Sequence, residues 1–254
     1  MQTGSSEDAG IDSEIRYNLS LMLRATLVYL FVGLYVAIIG PIAMIWVLLS
    51  RNTDVLYSLA RICIRVAGWI CRIKVIVHGK ERILPGQAYL FLSNHQSNCD
   101  GPILFYTTQR NLRAVIKKEI MRIPVLAQVF KQANFVPIDR SDPLQARAAI
   151  DRAVQLLRVG FSFFAFPEGT RSRDGRLGEF KKGVFVLALK AGASVMPVSI
   201  RDSHAIQPPG HYGIKPGSVE VIFHDPIATE HMRLEDRNRL LDLTRQAIAN
   251  GLSG

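Results

Sequence analysis

Residues 25–50 carry no charged side chain, and no other feature of the chain restricts its fold so strongly. As one helix they would extend roughly 39 Å at about 1.5 Å per residue, enough to cross a hydrocarbon core of about 30 Å. The stretch is too long, and begins too late, for the core of a signal peptide. Gly40-Pro41 lies inside it, and proline there predicts a kink. A bent span, a shallow re-entrant pair and a buried core helix all fit these residues. The polar segment before it, residues 1–18, reads as a loose tail.

The next segment, 54–73, has a different pattern. Leu56, Leu59, Ala60, Ile62, Cys63, Val66, Trp69 and Ile70 recur at helical spacing, interrupted by Arg61, Arg65 and Arg72. This predicts an amphipathic helix, suited either to an anionic membrane surface or to docking on a soluble domain. Arg and Lys number two in residues 1–24 and five in residues 50–74. For a crossing segment that excess places the C-terminal bulk in the cytoplasm, at the inner membrane of a bacterial cell.

Beyond residue 73 strands and helices alternate. Short β-rich runs cover 73–78, 89–93, 112–116, 134–138, 161–166, 194–200 and 219–223. Helical stretches cover 144–159, 180–191 and 234–249, the first with Asp142 as N-cap and Gly160 at its end. The alternation predicts an α/β domain, with a mixed, largely parallel sheet flanked by helices. Within 254 residues this leaves room for one such domain behind an N-terminal, membrane-associating two-helix region. The net charge of +10 and the mean hydropathy of +0.16 favour an anionic partner and contact with a membrane. Nucleic acid suits the charge, but no reading module or aromatic platform accompanies it. Cys63, Cys71 and Cys99 form no CxxC pair, and an odd count argues against a disulfide framework.

Polar clusters follow the apolar runs. After 89–93 comes Ser93-Asn94-His95-Gln96-Ser97-Asn98-Cys99-Asp100. A turn can bring the Asp100 carboxylate back to His95, fixing its tautomer and supporting the imidazolium formed when it takes a proton; an isolated His–Asp pair of this kind is more often structural than catalytic. After 161–166 comes Pro167-Glu168-Gly169-Thr170-Arg171-Ser172-Arg173, in which glycine permits close backbone approach and arginine offers planar donors to a phosphate. Lys117-Lys118-Glu119 and Val136-Pro137-Ile138-Asp139-Arg140 place further cations beyond strands. The chain has no G-x-S-x-G elbow, no P-loop, no G-x-G-x-x-G and no convincing metal-ligand spacing.

Taken together and in this order, the clusters resemble the glycerolipid acyltransferase family. Its N-H-x-x-x-x-D block matches residues 94–100, its F-P-E-G-T-R-S block matches 166–172, and its later blocks match 117–119, 136–140 and 195–198. Asn98-Cys99 departs from the bulkier apolar residues often found there, and Asn134 and Pro137 depart from the usual glycine and phenylalanine. The resemblance implies an enzyme whose residues 1–74 anchor it to a membrane and whose residues 75–254 form the catalytic domain. It implies His95 as base and Asp100 as its partner. Lys117, Arg140, Glu168, Gly169, Thr170 and Arg171 would bind the acceptor, lysophosphatidic acid. The free sn-2 hydroxyl would take the acyl group from acyl-CoA or acyl carrier protein, giving phosphatidic acid, with neither cofactor nor metal. Other lysolipids or glycerol 3-phosphate are the alternative acceptors, and a non-catalytic membrane-binding protein is the alternative of another class.

Overall fold

The structure is a computed structural model that describes the backbone of residues 4–139 and 141–253, with side chains from Glu14 onward. Two helices come first, α1 (Gly4–Ser50) and α2 (Asp54–Cys71). Seven strands follow: β1 (Ile73–His78), β2 (Leu90–Ser93), β3 (Arg113–Lys117), β4 (Val136–Ile138), β5 (Phe163–Ala165), β6 (Val195–Arg201) and β7 (Gly217–Phe223). Interleaved with them are α3 (Asp100–Thr108), α4 (Pro124–Gln132), α5 (Pro143–Arg158), α6 (Gly183–Ala191), the short α7 (Ser203–Ile206) and the closing α8 (Arg237–Leu252).

All seven strands join one sheet in the order β1-β7-β6-β2-β5-β3-β4. Every neighbouring pair is parallel except β6 and β7, so the mixed, largely parallel sheet expected from the sequence is present. Alternation along β2 divides the interior. Phe91 enters a core shared with α1, α2 and α3, whereas Leu90 and Leu92 enter one shared with α5, α6 and α8. A strand buried on both faces must be apolar throughout, which is why 89–93 reads as a continuous run. Helix α5 begins where its cap dictates, with Asp142 accepting from the backbone N–H groups of Leu144 and Gln145 at 2.9 and 3.2 Å.

Several local expectations change, three of them for plain physical reasons. Residues 4–18 are helical rather than a loose tail, because adding turns to an existing helix avoids the cost of nucleating one. Strand β4 begins at Val136 rather than at 134, since Asn134 adopts left-handed backbone (φ +57°) where α4 ends. Helix α6 begins at Gly183 rather than at 180, after Phe180 has been spent filling the core beside Phe185.

Helix α1 runs through Pro41 without a break. Leu21, Ala25, Val28, Ala43 and Val47 form its buried stripe. Tyr35 Oη donates to the carbonyl of Leu59 in α2 at 3.0 Å, and Gln207 Nε2 donates to Tyr29 Oη at 2.8 Å. The helix therefore lies along the domain, sharing its core, and no re-entrant pair is formed. Helix α2 is docked as well, through Leu56, Tyr57, Cys63 and Cys71, but leaves Ile62 and Trp69 exposed. Gly40 explains the fit: a β-carbon there would lie 2.5 Å from Val125 Cγ1 on α4. Gly40→Val should therefore push α1 from α4 and cost about 1–3 kcal/mol, read as a lowered Tm. Gly33→Ala, where a β-carbon meets nothing within 4 Å, should leave Tm unchanged or raised; equal melting of both variants would refute the close approach.

Candidate active site

Because β2, β5, β3 and β4 are adjacent and parallel, their C-terminal ends lie on one edge of the sheet. Each of the four polar clusters follows one of these strands, and open α/β sheets place ligands at such ends. The topology thus gathers what the sequence scatters over some 80 positions.

The turn after β2 is held from several sides. Asn94 is fully buried and pairs with β6, donating to the carbonyl of Ile200 and accepting from its N–H, both at 2.8 Å. Ser97 Oγ donates to the Gln207 carbonyl at 3.0 Å. Asp100, fully buried in the first turn of α3, draws the turn shut. Its Oδ2 accepts from the backbone N–H groups of Gln96 (2.7 Å) and Ser97 (2.8 Å) and lies 2.9 Å from His95 Nδ1. The helix N-terminus favours negative charge at that position. A carboxylate beside Nδ1 selects the tautomer protonated there, which leaves the lone pair on Nε2. His95 keeps 20% of its side chain exposed, so Nε2 can receive a proton.

Two further contacts fix the imidazole. Phe166 stacks on it with ring centres 3.9 Å apart and planes 10° from parallel. Glu168 accepts from the backbone N–H of His95 at 2.7 Å through Oε1, and from that of Gly178 at 2.8 Å through Oε2. Both oxygens of this buried carboxylate are thus engaged by the protein's own backbone. Burial pushes its pKa up, opposed by the two N–H donors. The His95 carbonyl in turn accepts from Ser172 N at 2.8 Å. The block 166–172 therefore buttresses the histidine turn, a role for Phe166 that no sequence signal announced.

The remaining expected residues are distributed as follows. Gly169 takes left-handed backbone (φ +71°), and a β-carbon there would meet the Lys181 side chain at 3.0 Å. Thr170 is exposed. Arg171 is half-buried, and its Nη1 donates to Asn98 Oδ1 on the histidine turn. Lys117 ends β3, two strand positions from β2 or about 10 Å to the side. It is 70% exposed, 3.6 Å from Glu119. Arg140 lies outside the described residues.

Beside the turn, Asn98, Cys99, Pro102 and Ile103 line an open cavity of about 540 Å³, lined on its other sides by Val28, Ile64, Trp69 and neighbours on α1, α2 and β1. Two smaller apolar cavities, of about 320 and 200 Å³, meet it at Ile64. Burial pushes the Cys99 thiol up to about 11. Protonated at neutral pH, it is a poor nucleophile, and the site offers a base without an activated protein nucleophile.

The Acyltransferase family model matches residues 74–201. This chain belongs to that family. It is 38% identical over 156 residues to a chloroplastic 1-acyl-sn-glycerol-3-phosphate acyltransferase of Arabidopsis thaliana, covering 61% of this chain and 44% of the relative. It is 33% identical over 148 residues to the 1-acyl-sn-glycerol-3-phosphate acyltransferase of Borreliella burgdorferi, covering 58% and 59%. The chain thus spans about half the length of these curated relatives. The crystal structure of the 1-acyl-sn-glycerophosphate acyltransferase PlsC from Thermotoga maritima superposes with a TM-score of 0.80 at 27% identity, covering 94% of this chain and 95% of that one. The likeness to that structure extends across α1 and α2, beyond the family model.

The geometry predicts that His95→Ala abolishes acyl transfer, a loss of about 10²–10⁴-fold or more, in protein that melts normally. In Glu168→Gln one backbone N–H would face an amide NH₂. One charged hydrogen bond is worth about 1.5–3 kcal/mol, so kcat should fall about 10- to 100-fold with acceptor KM little changed. A raised acceptor KM with kcat intact would instead show Glu168 contacting substrate.

Proposed function

We propose that the protein transfers a fatty-acyl group from an acyl thioester to the sn-2 hydroxyl of 1-acylglycerol 3-phosphate, forming phosphatidic acid. The observation that carries this reading is the His95–Asp100 pair, on a turn whose Asn98 both lines a largely apolar cavity and accepts from Arg171, an arginine that no carboxylate neutralises among the described residues. An acceptor with one acyl chain, one phosphate and one free hydroxyl matches those three features. The names of the chloroplastic, Borreliella and Thermotoga proteins support the same acceptor.

In the proposed mechanism the acceptor hydroxyl gives its proton to His95 Nε2 as its oxygen attacks the thioester carbonyl. The tetrahedral intermediate collapses with loss of the thiolate, which takes the proton back from the imidazolium and leaves as a thiol. Asp100 stays ionised throughout, orienting the ring and stabilising its cationic form. No acyl-enzyme is needed, because a thioester is already activated and the acceptor supplies the nucleophile. Positioning and one proton relay suffice. Arg171, Lys117 and Arg140 would hold the phosphate. Gly169 and Thr170 would shape the glycerol site. Acyl-CoA and acyl carrier protein both meet the chemical requirement for the donor.

The lysolipid's own chain lies in a bilayer, so the site must work at a membrane surface. Helix α1 is suited to hold it there. Its segment Glu14–Ser50 has a mean hydropathy of 2.4 in its most apolar window, of which only 17% is buried within the protein. Leu23, Leu30, Leu34, Ile38, Ile45 and Leu49 stand exposed opposite the docked stripe, continued by Ile62 and Trp69 of α2. Were α1 also to cross the bilayer, the excess of arginine and lysine in residues 50–74 would put the catalytic domain on the cytoplasmic face.

Thiol release measured with a panel of acceptors tests the reaction. Lysophosphatidic acid should be preferred over glycerol 3-phosphate and over lysolipids whose phosphate is esterified. Release with no acceptor would remove the enzymatic reading, and preference for another acceptor would reassign the phosphate site. Replacing Leu34, Ile38 and Ile45 by glutamate should free the protein from vesicles without lowering its Tm; continued attachment would place the anchor elsewhere.

A further inference from the structure

Arg171 arrives from the loop after β5, yet its one hydrogen bond among the described residues is made to the histidine turn, where Nη1 donates to Asn98 Oδ1. Asn98 stands three residues after His95 and two before Asp100. Its side chain is exposed, and it forms part of the rim of the 540 Å³ cavity. The acids nearest in sequence are occupied. Asp100 and Glu168 are engaged by backbone N–H groups, and Asp174 accepts from Ser172 Oγ and the N–H of Arg176. The guanidinium is therefore held without being neutralised.

We infer that Asn98 is a positioning residue for the acceptor phosphate: its carboxamide oxygen fixes the Arg171 guanidinium at the cavity rim before substrate arrives. The inference rests on the proposed role of Arg171. A guanidinium has five N–H donors in a rigid fork. A neutral oxygen occupies one of them and leaves the rest, with the full positive charge, for a phosphate. An apolar side chain at this position would leave the arginine to be ordered at the moment of binding. A carboxylate would hold it but cancel its charge, so that phosphate would have to displace an ion pair. Because Asn98 is on the same turn as His95 and Asp100, the hold also ties the phosphate site in register with the catalytic base.

The experiment is a kinetic cycle on the full-length protein in vesicles, with lysophosphatidic acid as acceptor. Asn98 is exposed, and surface substitutions of this kind usually shift stability by no more than about 0.5 kcal/mol; melting curves check this. Ordering one long side chain costs roughly 0.5–1.5 kcal/mol, so Asn98→Leu should raise acceptor KM about 2- to 12-fold, with donor KM unchanged and kcat at saturating acceptor nearly so. Asn98→Asp should raise acceptor KM further, and Asn98→Gln, which keeps an oxygen acceptor, should recover part of the loss. In an Arg171→Ala background Asn98→Leu should have no additional effect, since contacting residues couple. Additive effects, or a loss confined to kcat, would overturn the inference. If Arg171→Ala raises acceptor KM while Asn98→Leu does not, this inference fails and the phosphate reading survives. If Arg171→Ala itself leaves acceptor KM unaltered, the phosphate reading fails and this one with it.

Discussion

A carboxylate removed from water is tolerated only where hydrogen bonds replace the hydration it has lost. Asp100 meets that demand at Oδ2 with three donors, two backbone N–H groups of its own turn and the imidazole of His95, while Oδ1 is buried without a partner among the described residues. The two N–H groups wrap residues 96–100 around the carboxylate. The third donor fixes which histidine nitrogen carries the proton. Shape and chemistry are therefore set by the same oxygen atom. Glu168 repeats the device one layer out, closing the loops on either side of the histidine through backbone N–H groups alone. Two buried acids thus join the Asn94, Ser97 and Ser172 contacts in holding a short polar segment rigid at the end of an apolar strand.

That rigidity matters because the sheet brings its components from distant parts of the chain. Parallel neighbours end on the same edge, so β2, β5, β3 and β4 deliver their trailing loops side by side. The reversed pair β1 and β7 lies at the opposite end of the strand order and contributes no cluster. It instead extends the core shared with α1 and α2. One half of the sheet presents chemistry, and the other supports the apolar helices.

Much of this was legible in the residues. Each of the seven strands is a β-branched or aromatic run short enough to be bounded by turn residues. Asp142-Pro143 and Gly160 bracketed α5 because capping is a local matter. The His95–Asp100 contact was readable because five residues suffice to fold a carboxylate back onto a ring. The long-range contacts were not readable. Nothing in the spacing shows Phe166 lying flat on His95, since the two are brought together by pairing of β2 with β5. The resemblance implied a substrate ligand at Glu168; that its two oxygens accept from the backbone N–H groups of His95 and Gly178 is apparent only once the strands are paired. Helix α1 was legible only as a set of alternatives, for a related reason. An uncharged run of 26 residues looks the same in sequence whether it crosses a bilayer alone or lies against its own domain. Only the stripe from Leu21 to Val47, packed while the opposite face stays bare, separates the two arrangements.

The docking of α1 has a consequence for how such a site meets an amphiphile. A helix crossing the bilayer independently would fix the domain's lateral position but leave its height and tilt to the linker. In α1 the lipid-suited face and the domain-packed face belong to the same rigid rod, and Tyr29 connects that rod directly to Gln207, whose carbonyl holds Ser97 in the histidine turn. On the role proposed for α1, the depth at which its apolar face rests in a membrane would be transmitted to the histidine turn through Tyr29, Gln207 and Ser97 rather than through a flexible segment. The cavity obeys the same geometry. Its walls are shared between α1, α2 and the histidine turn. On the proposed function, an acyl chain entering between the helices would be led toward the base while its headgroup stayed outside among the cations. Segregation of apolar and charged groups, the same partition that orients a lipid in a bilayer, would then orient the acceptor in the site.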